Sequence, residues 1–302
     1  STPKPSSAAS DVYKRQELQQ EMDYWLQIGT KETPTLPVDY PGGANTYGSI
    51  ESVEISLSAA ETQALLQQIP AVYGTQVNDV LLTALVRAFA RWTGKRTLLL
   101  EMEGHGREDI FDGVDLSRTV GWFTTSFPVL LDLEDADGTE EELKAIKEQL
   151  RRIPRRGIGY GLLRYLCEDE QVREQLSALP RPEVNFNYLG QFGRASASER
   201  SGEKRSDSPG GRGRRFLDQI RRAVESKIAP QVRIAPESVG PEQSPEGTAP
   251  TLLNIVGIVT GGQFQLRIGY SKNLFKRDTI ERLSTYFAEE LRSLIPHCLS
   301  RQ

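Results

Sequence analysis

Hydrophobic residues recur along this chain at two periods. Between Gln76 and Thr93 the apolar positions are Val77, Val80, Leu81, Ala84, Leu85, Ala88, Phe89 and Trp92. They form one stripe near 3.6 residues per turn, and Gly94 follows, which predicts an amphipathic helix stopped by a glycine. Asp79 is a polar residue on this apolar element and reads as a cap or a local pair. The last predicted helix starts at Asp278, with Glu281 three residues on, and turns Ile280, Leu283, Phe287, Leu291 and Leu294 inward. Shorter helices are predicted over Glu17–Ile28, which carries Met22 and Trp25, and from Ser58-Ala59-Ala60-Glu61, which has capping-box spacing, through Gln68. Two more run over Glu140–Arg152 and Gly161–Cys167. Alternation predicts strands at Val53–Leu57, 97–103, about 119–133 and 183–189. Pro128 marks the third of these as an edge or bulged strand. Leu252–Thr260 and Gln263–Tyr270, joined by Gly261-Gly262, predict a hairpin.

Helices mixed with antiparallel hairpins point to an α/β or α+β sandwich. Pro34 to Gly48 reads as a linker. Residues 1–16 have no periodicity and read as a disordered segment or one foreign to the fold. Residues 193–227 are rich in Ser, Gly and Arg and read as a disordered, solvated insertion, because they hold too few large apolar side chains to offset their ordering entropy. The remaining 17–302 read as one folded unit around that insertion.

Composition narrows the function classes. A 37% hydrophobic content supports a real core, and a net charge of −4 gives no reason to expect nucleic acid as a partner. No run approaches the roughly 20 apolar residues that span a bilayer, and the N-terminus is unlike a secretory signal. Cys167 and Cys298 stand far apart without metal-type spacing, so both read as reduced, core-facing thiols of a cytoplasmic protein. Two histidines and no CxxC pair exclude a structural zinc site. Gly157, Gly159 and Gly161 echo phosphate loops but lack the lysine and the spacing of one.

The chemistry concentrates at the end of the 97–103 strand, in Glu103-Gly104-His105-Gly106-Arg107-Glu108. A carboxylate between a strand and a glycine-rich turn is well placed to meet a substrate, because glycine permits sharp turns and close approach. Downstream come Arg118-Thr119-Val120-Gly121-Trp122-Phe123-Thr124, Gly157-Ile158-Gly159-Tyr160-Gly161 and Phe186-Asn187-Tyr188-Leu189-Gly190-Gln191. Asn78-Asp79-Val80-Leu81-Leu82 and Leu294-Ile295-Pro296-His297-Cys298 frame the series. From about Glu17 to Cys298 this order resembles the C-terminal half of an epimerization domain of a nonribosomal peptide synthetase, within the condensation-domain superfamily.

The resemblance implies a chloramphenicol-acetyltransferase-like lobe, a mixed sheet flanked by helices. It implies inversion from L to D at Cα of an aminoacyl or peptidyl thioester. The substrate would ride on the 4'-phosphopantetheine of a peptidyl carrier protein, with no cofactor bound by the domain itself. The other implied partners are an N-terminal lobe and neighbouring synthetase modules. Inversion needs a base, an acid on the opposite face and stabilisation of the enolate oxygen. By the match, Glu103 is the catalytic carboxylate; the hexapeptide alone reads instead as an ion pair with Arg107 or Arg118, and the ordered series reverses that. His105 is either an acid–base group or a residue that holds the loop, with Arg107 beside it. Asn187 and Tyr188 either orient the thioester and its oxyanion or serve the sheet, Tyr188 buried and Asn187 capping a turn. Trp122, Phe123 and Tyr160 shape a tunnel or core, and His297 reads as structural.

The sequence departs from the family in one respect. It contains no HHxxxDG, the motif whose histidine faces the glutamate across the tunnel. The resemblance therefore implies that the N-terminal lobe is missing and that this chain by itself is not an efficient epimerase. Two other readings stay open: part of a condensation domain that forms the peptide bond, and a non-catalytic remnant that docks a carrier protein.

Overall fold

The computed structural model describes residues 16–31, 33–69, 74–108, 115–116, 118–192 and 243–299. Residues 1–15 and the predicted 193–227 insertion lie outside the described residues. Among the described ones six strands form a single mixed sheet, and its order is β1-β6-β5-β4-β2-β3. The strands are β1 (Ile50–Ser56), β2 (Thr97–Gly104), β3 (Thr125–Asp132), β4 (Val184–Phe192), β5 (Leu253–Thr260) and β6 (Gln263–Ser271). β4 runs parallel to both β2 and β5, while the remaining pairs are antiparallel. The expected sandwich class holds, as sheet plus helices.

One face of the sheet is apolar. Leu98, Leu100 and Met102 of β2, Val184 and Phe186 of β4 and Leu266 and Ile268 of β6 are all buried there. Helices α3 (Val77–Thr93) and α7 (Arg277–Leu299) pack together and close the core on this side. Their predicted stripes are the buried ones: Val80, Leu81, Leu85 and Phe89 on α3, and Ile280, Leu283, Phe287, Leu291 and Leu294 on α7. Gly94 stops α3 in the left-handed conformation at φ 75°. Asp79 is its local cap, accepting from the Gln76 amide at 2.7 Å. Helix α2 (Ala59–Gln63) opens with the expected capping box and continues as a π-helical turn over Ala64–Gln68. Gly261 (φ 57°) and Gly262 (φ 80°) turn the β5–β6 hairpin.

Helices α1 (Gln16–Leu26), α4 (Thr139–Arg151), α5 (Ile158–Gly161) and α6 (Glu170–Ser177) flank the β3 end. Trp25 of α1 is fully buried, 5.1 Å from the Tyr160 ring and 6.2 Å from Phe127. Gly157 and Gly159 permit this packing: a Cβ on Gly157 would lie 2.1 Å from the Phe127 ring, and one on Gly159 would lie 1.9 Å from Glu21 Oε2. Tyr160 is thus a core residue.

The structure corrects two expectations and adds one helix. The third strand begins at Thr125, not near 119, because the ladder with β2 ends at Gly104 opposite Thr125. Cys167 is half-buried, not core-facing, since it ends the short π-helical turn Leu162–Leu166 at the surface; the side chains of His297 and Cys298 lie outside the described residues. Helix α6 is not among the expected elements; it turns Val172 and Leu176 to the core and starts at Asp169, whose carboxylate accepts from the Gln171 amide at 2.9 Å.

Candidate functional site

The opposite face of the sheet is polar and open. Residue alternation sends Glu101 and Glu103 of β2, Ser126 of β3, Asn185 and Asn187 of β4, and Asn254 and Arg267 of its neighbours to this side. Most of them, with Tyr47 and the largely exposed Trp122, line a cavity of about 850 Å³. That is within the range of small-molecule sites.

Glu103 stands opposite Ser126 in the β2–β3 register and accepts a hydrogen bond from the Asn187 amide at 2.7 Å. The two residues are 84 positions apart and meet because β2 and β4 lie side by side. Burial among these strands is the main cause that pushes the Glu103 carboxyl above its ordinary range. A hydrogen bond from Asn185 opposes that rise, and the negative charge of Glu101 adds to it. Glu101 accepts from the Ser126 hydroxyl.

The ion pairs expected for Glu103 are not the arrangement seen. The Arg107 guanidinium instead donates to the Leu116 carbonyl at 2.8 Å and to the Gly121 carbonyl at 3.4 Å, and lies 4.1 Å over the Phe123 ring. It thus draws Leu116 and the 118–123 segment back on the turn after β2, away from the ladder. Gly106, at φ 63°, is needed for the same contact, since a Cβ there would lie 1.6 Å from the Phe123 carbonyl oxygen. His105 belongs to this turn too: its Nδ1 accepts from the Arg107 amide at 3.0 Å and its Nε2 lies 3.2 Å from Glu108. The folded-back loop carries Trp122 out to the rim of the cavity.

Tyr188 goes elsewhere. Next to Asn187 on β4, it faces the helix-covered side, its ring centre 6.3 Å from Phe264, and burial pushes its hydroxyl pKa to about 12. Glu103, Asn187 and Trp122 are therefore brought together, His105 and Arg107 hold the adjoining turn, and Tyr188 is on the wrong face to join them. Sequence reasoning passed over Glu101, Asn185 and Ser126. Their signal was position alone, two residues from Glu103 and Asn187 or across the β3 edge.

Among the described residues no group of His, Cys, Asp and Glu could hold a metal ion, and no helix is long and apolar enough to cross a membrane.

A family model described as the condensation domain matches residues 6–212. The chain belongs to the condensation-domain family. A linear gramicidin synthase of Brevibacillus parabrevis is 41% identical over 280 residues, which are 93% of this chain and 5% of that protein. Gramicidin S synthase 1 of Brevibacillus brevis is 34% identical over 287 residues, 94% of this chain and 24% of that protein. The chain thus spans only a small part of such relatives. Among solved structures, the epimerization domain from the third module of tyrocidine synthetase B matches with a TM-score of 0.77 and 32% identity, over 95% of this chain and 57% of that one. A four-domain nonribosomal peptide synthetase bound to AMP and glycine matches with a TM-score of 0.59 and 14% identity, a likeness of fold alone. The fold is that of condensation and epimerization domains, and the chain amounts to about one lobe of it.

Proposed function

We propose that this chain is the C-terminal lobe of an epimerization domain of a nonribosomal peptide synthetase, spanning 17–302, and that it serves the inversion of L to D at Cα of a carrier-bound thioester. The observation that carries the reading is the setting of Glu103. A carboxyl raised above its ordinary range by burial, anchored by side-chain amides and open to a cavity, is a competent acid–base group for an α-proton. The 32% identity to a solved epimerization domain favours inversion over peptide-bond formation.

In this reading the substrate is an aminoacyl or peptidyl group on the 4'-phosphopantetheine of a peptidyl carrier protein, in the cytoplasm. The thioester lies across the polar face of the sheet. Glu103 exchanges a proton with Cα, and Asn187 fixes the carboxyl's direction. Asn185, with two amide hydrogens, is placed to meet the enolate oxygen. A second lobe packs over this face, supplies the acid–base group on the other side of Cα and closes the cavity to water.

Deuterium exchange at Cα of a carrier-bound aminoacyl thioester tests this, with the chain joined to an HHxxxDG-bearing N-terminal lobe. Glu103→Gln is expected to lower exchange about a thousand-fold, in line with the loss of one general acid–base group, without lowering the melting temperature. Exchange at the parent rate in that variant removes Glu103 from its role.

A further inference from the structure

A second cavity, of about 830 Å³, adjoins the first and shares Glu101, Thr124, Ser126, Pro250 and Thr251 with it. Its far end differs in chemistry. Arg164 and Arg181 stand there among Ile158, Leu162, Tyr160 and Tyr165. We propose that this second cavity is an anion subsite, in which Arg164 and Arg181 hold a negatively charged group of the carrier-borne substrate while its thioester lies at Glu103. The proposal rests on the reading of Glu103 given above and extends it to what the substrate must carry.

Arg164 is fixed in advance. It donates to the Tyr160 hydroxyl at 2.6 Å and to the Leu176 carbonyl at 3.4 Å, and its guanidinium lies 5.8 Å from the Tyr160 ring centre and 5.4 Å from that of Tyr165. Its Nε–H is buried and meets no acceptor among the described residues. The Thr125 hydroxyl, on the wall of the same cavity, is also buried without a partner. Neither of these two atoms is open to the cavity, so the groups left to meet an anion there are the terminal guanidinium nitrogens of Arg164 and Arg181. A guanidinium is matched best by a planar carboxylate or by phosphate oxygens. Arg181, exposed at the rim, adds a second positive charge. Glu101, at the neck between the cavities, repels an anion and so keeps it at the arginine end.

Two groups on the substrate have this chemistry: the phosphodiester of the pantetheine arm and an acidic side chain on the residue being processed. Calorimetric titration of the chain with two matched pairs separates them, 4'-phosphopantetheine against pantetheine and the N-acetylcysteamine thioester of aspartate against that of asparagine. The charged member of one pair is expected to bind about ten-fold tighter, and that pair names the source. Arg181→Ala and Arg164→Lys are each expected to cut that advantage at least five-fold; if Arg164→Lys lowers the melting temperature, Arg181→Ala alone decides. Equal binding within both pairs, or an advantage that survives the substitutions, overturns the subsite. Glu103→Gln is expected to leave the advantage intact. Charge discrimination that persists although Glu103→Gln retains exchange would sink only the role of Glu103.

Discussion

The two faces of β2 answer to different demands. Leu98, Leu100 and Met102 point into the core, under α3 and α7, and are all but inaccessible. Glu101 and Glu103, one residue out of step, stand on the open side among amides and hydroxyls. The same contrast holds one strand over, where buried Phe186 alternates with Asn185 and Asn187. One face is fixed by packing density and tolerates little change. The other is fixed by a few hydrogen bonds and has chemistry to offer. A single strand can thus be rigid and reactive at once, because the rigidity of one side sets the geometry of the other.

Adjacent substitutions test that division directly. Phe186→Ala is expected to cost about 3–5 kcal/mol in chemical denaturation, the usual loss for a large core aromatic. Asn187→Ala should cost within about 0.5 kcal/mol on an open face. A comparable loss at both sites would break the comparison.

Charge inside the core sharpens it next. Glu142 on α4 is buried between Arg87 and Arg96, with Arg87 Nε donating to it at 2.5 Å. Glu142→Gln should destabilise by about 1–3 kcal/mol, since it weakens two charge-assisted bonds at a buried acceptor, while Arg87 keeps Glu290 at 3.7 Å and Arg96 is partly exposed. An effect no larger than that of Asn187→Ala would show the cluster to be solvated.

Gly106→Ala probes the hinge between the faces. The substitution is strained at φ 63° and collides with the Phe123 carbonyl, so about 1–3 kcal/mol is expected. The informative signal is the fluorescence of Trp122, which should change as the loop leaves its place. An unaltered spectrum would mean the loop does not depend on that turn.

The smallest expected effect depends on pH. Glu61 caps α2 by accepting from the Ser58 amide at 2.7 Å, and that bond, with Arg292 nearby, lowers its pKa to about 2. A carboxyl depressed in the fold adds stability above the unfolded-state value near 4.5, and that stability disappears as the pH falls to about 2. Glu61→Gln should therefore cost about 1 kcal/mol at pH 7 and almost nothing at pH 2. A gap of constant size across that window would contradict the assignment.

Much of the fold was legible where the cause is local. The α3 stripe, the α7 stripe, the Ser58 capping box and the Gly261-Gly262 turn all follow from spacing within a few residues. Glu103 and Asn187 were each picked out from the sequence, yet their contact was not. It depends on β4 lying parallel beside β2, a pairing across 84 residues that no local pattern encodes. The side of the strand taken by Tyr188 was legible as alternation but competed with its place beside Asn187. Residues 119–124 alternate like a strand, and the contacts that hold them off the ladder, Arg107 on the Gly121 carbonyl and Gly106 against Phe123, cannot be read from that alternation. Helix α6 is short, and its apolar stripe is only Val172, Leu176 and the following Leu179, too few positions to stand out beside the Asp169 cap.

Pro128 sits in β3, at one border of the sheet, and leaves that strand one backbone donor short. Helix α5 packs against the same strand. Together they deny a foreign strand the continuous row of donors and acceptors it would need to dock there. Sheet-to-sheet polymerisation of copies is thereby pushed to the β1 border, and at the β3 border the lobe is guarded against its own kind.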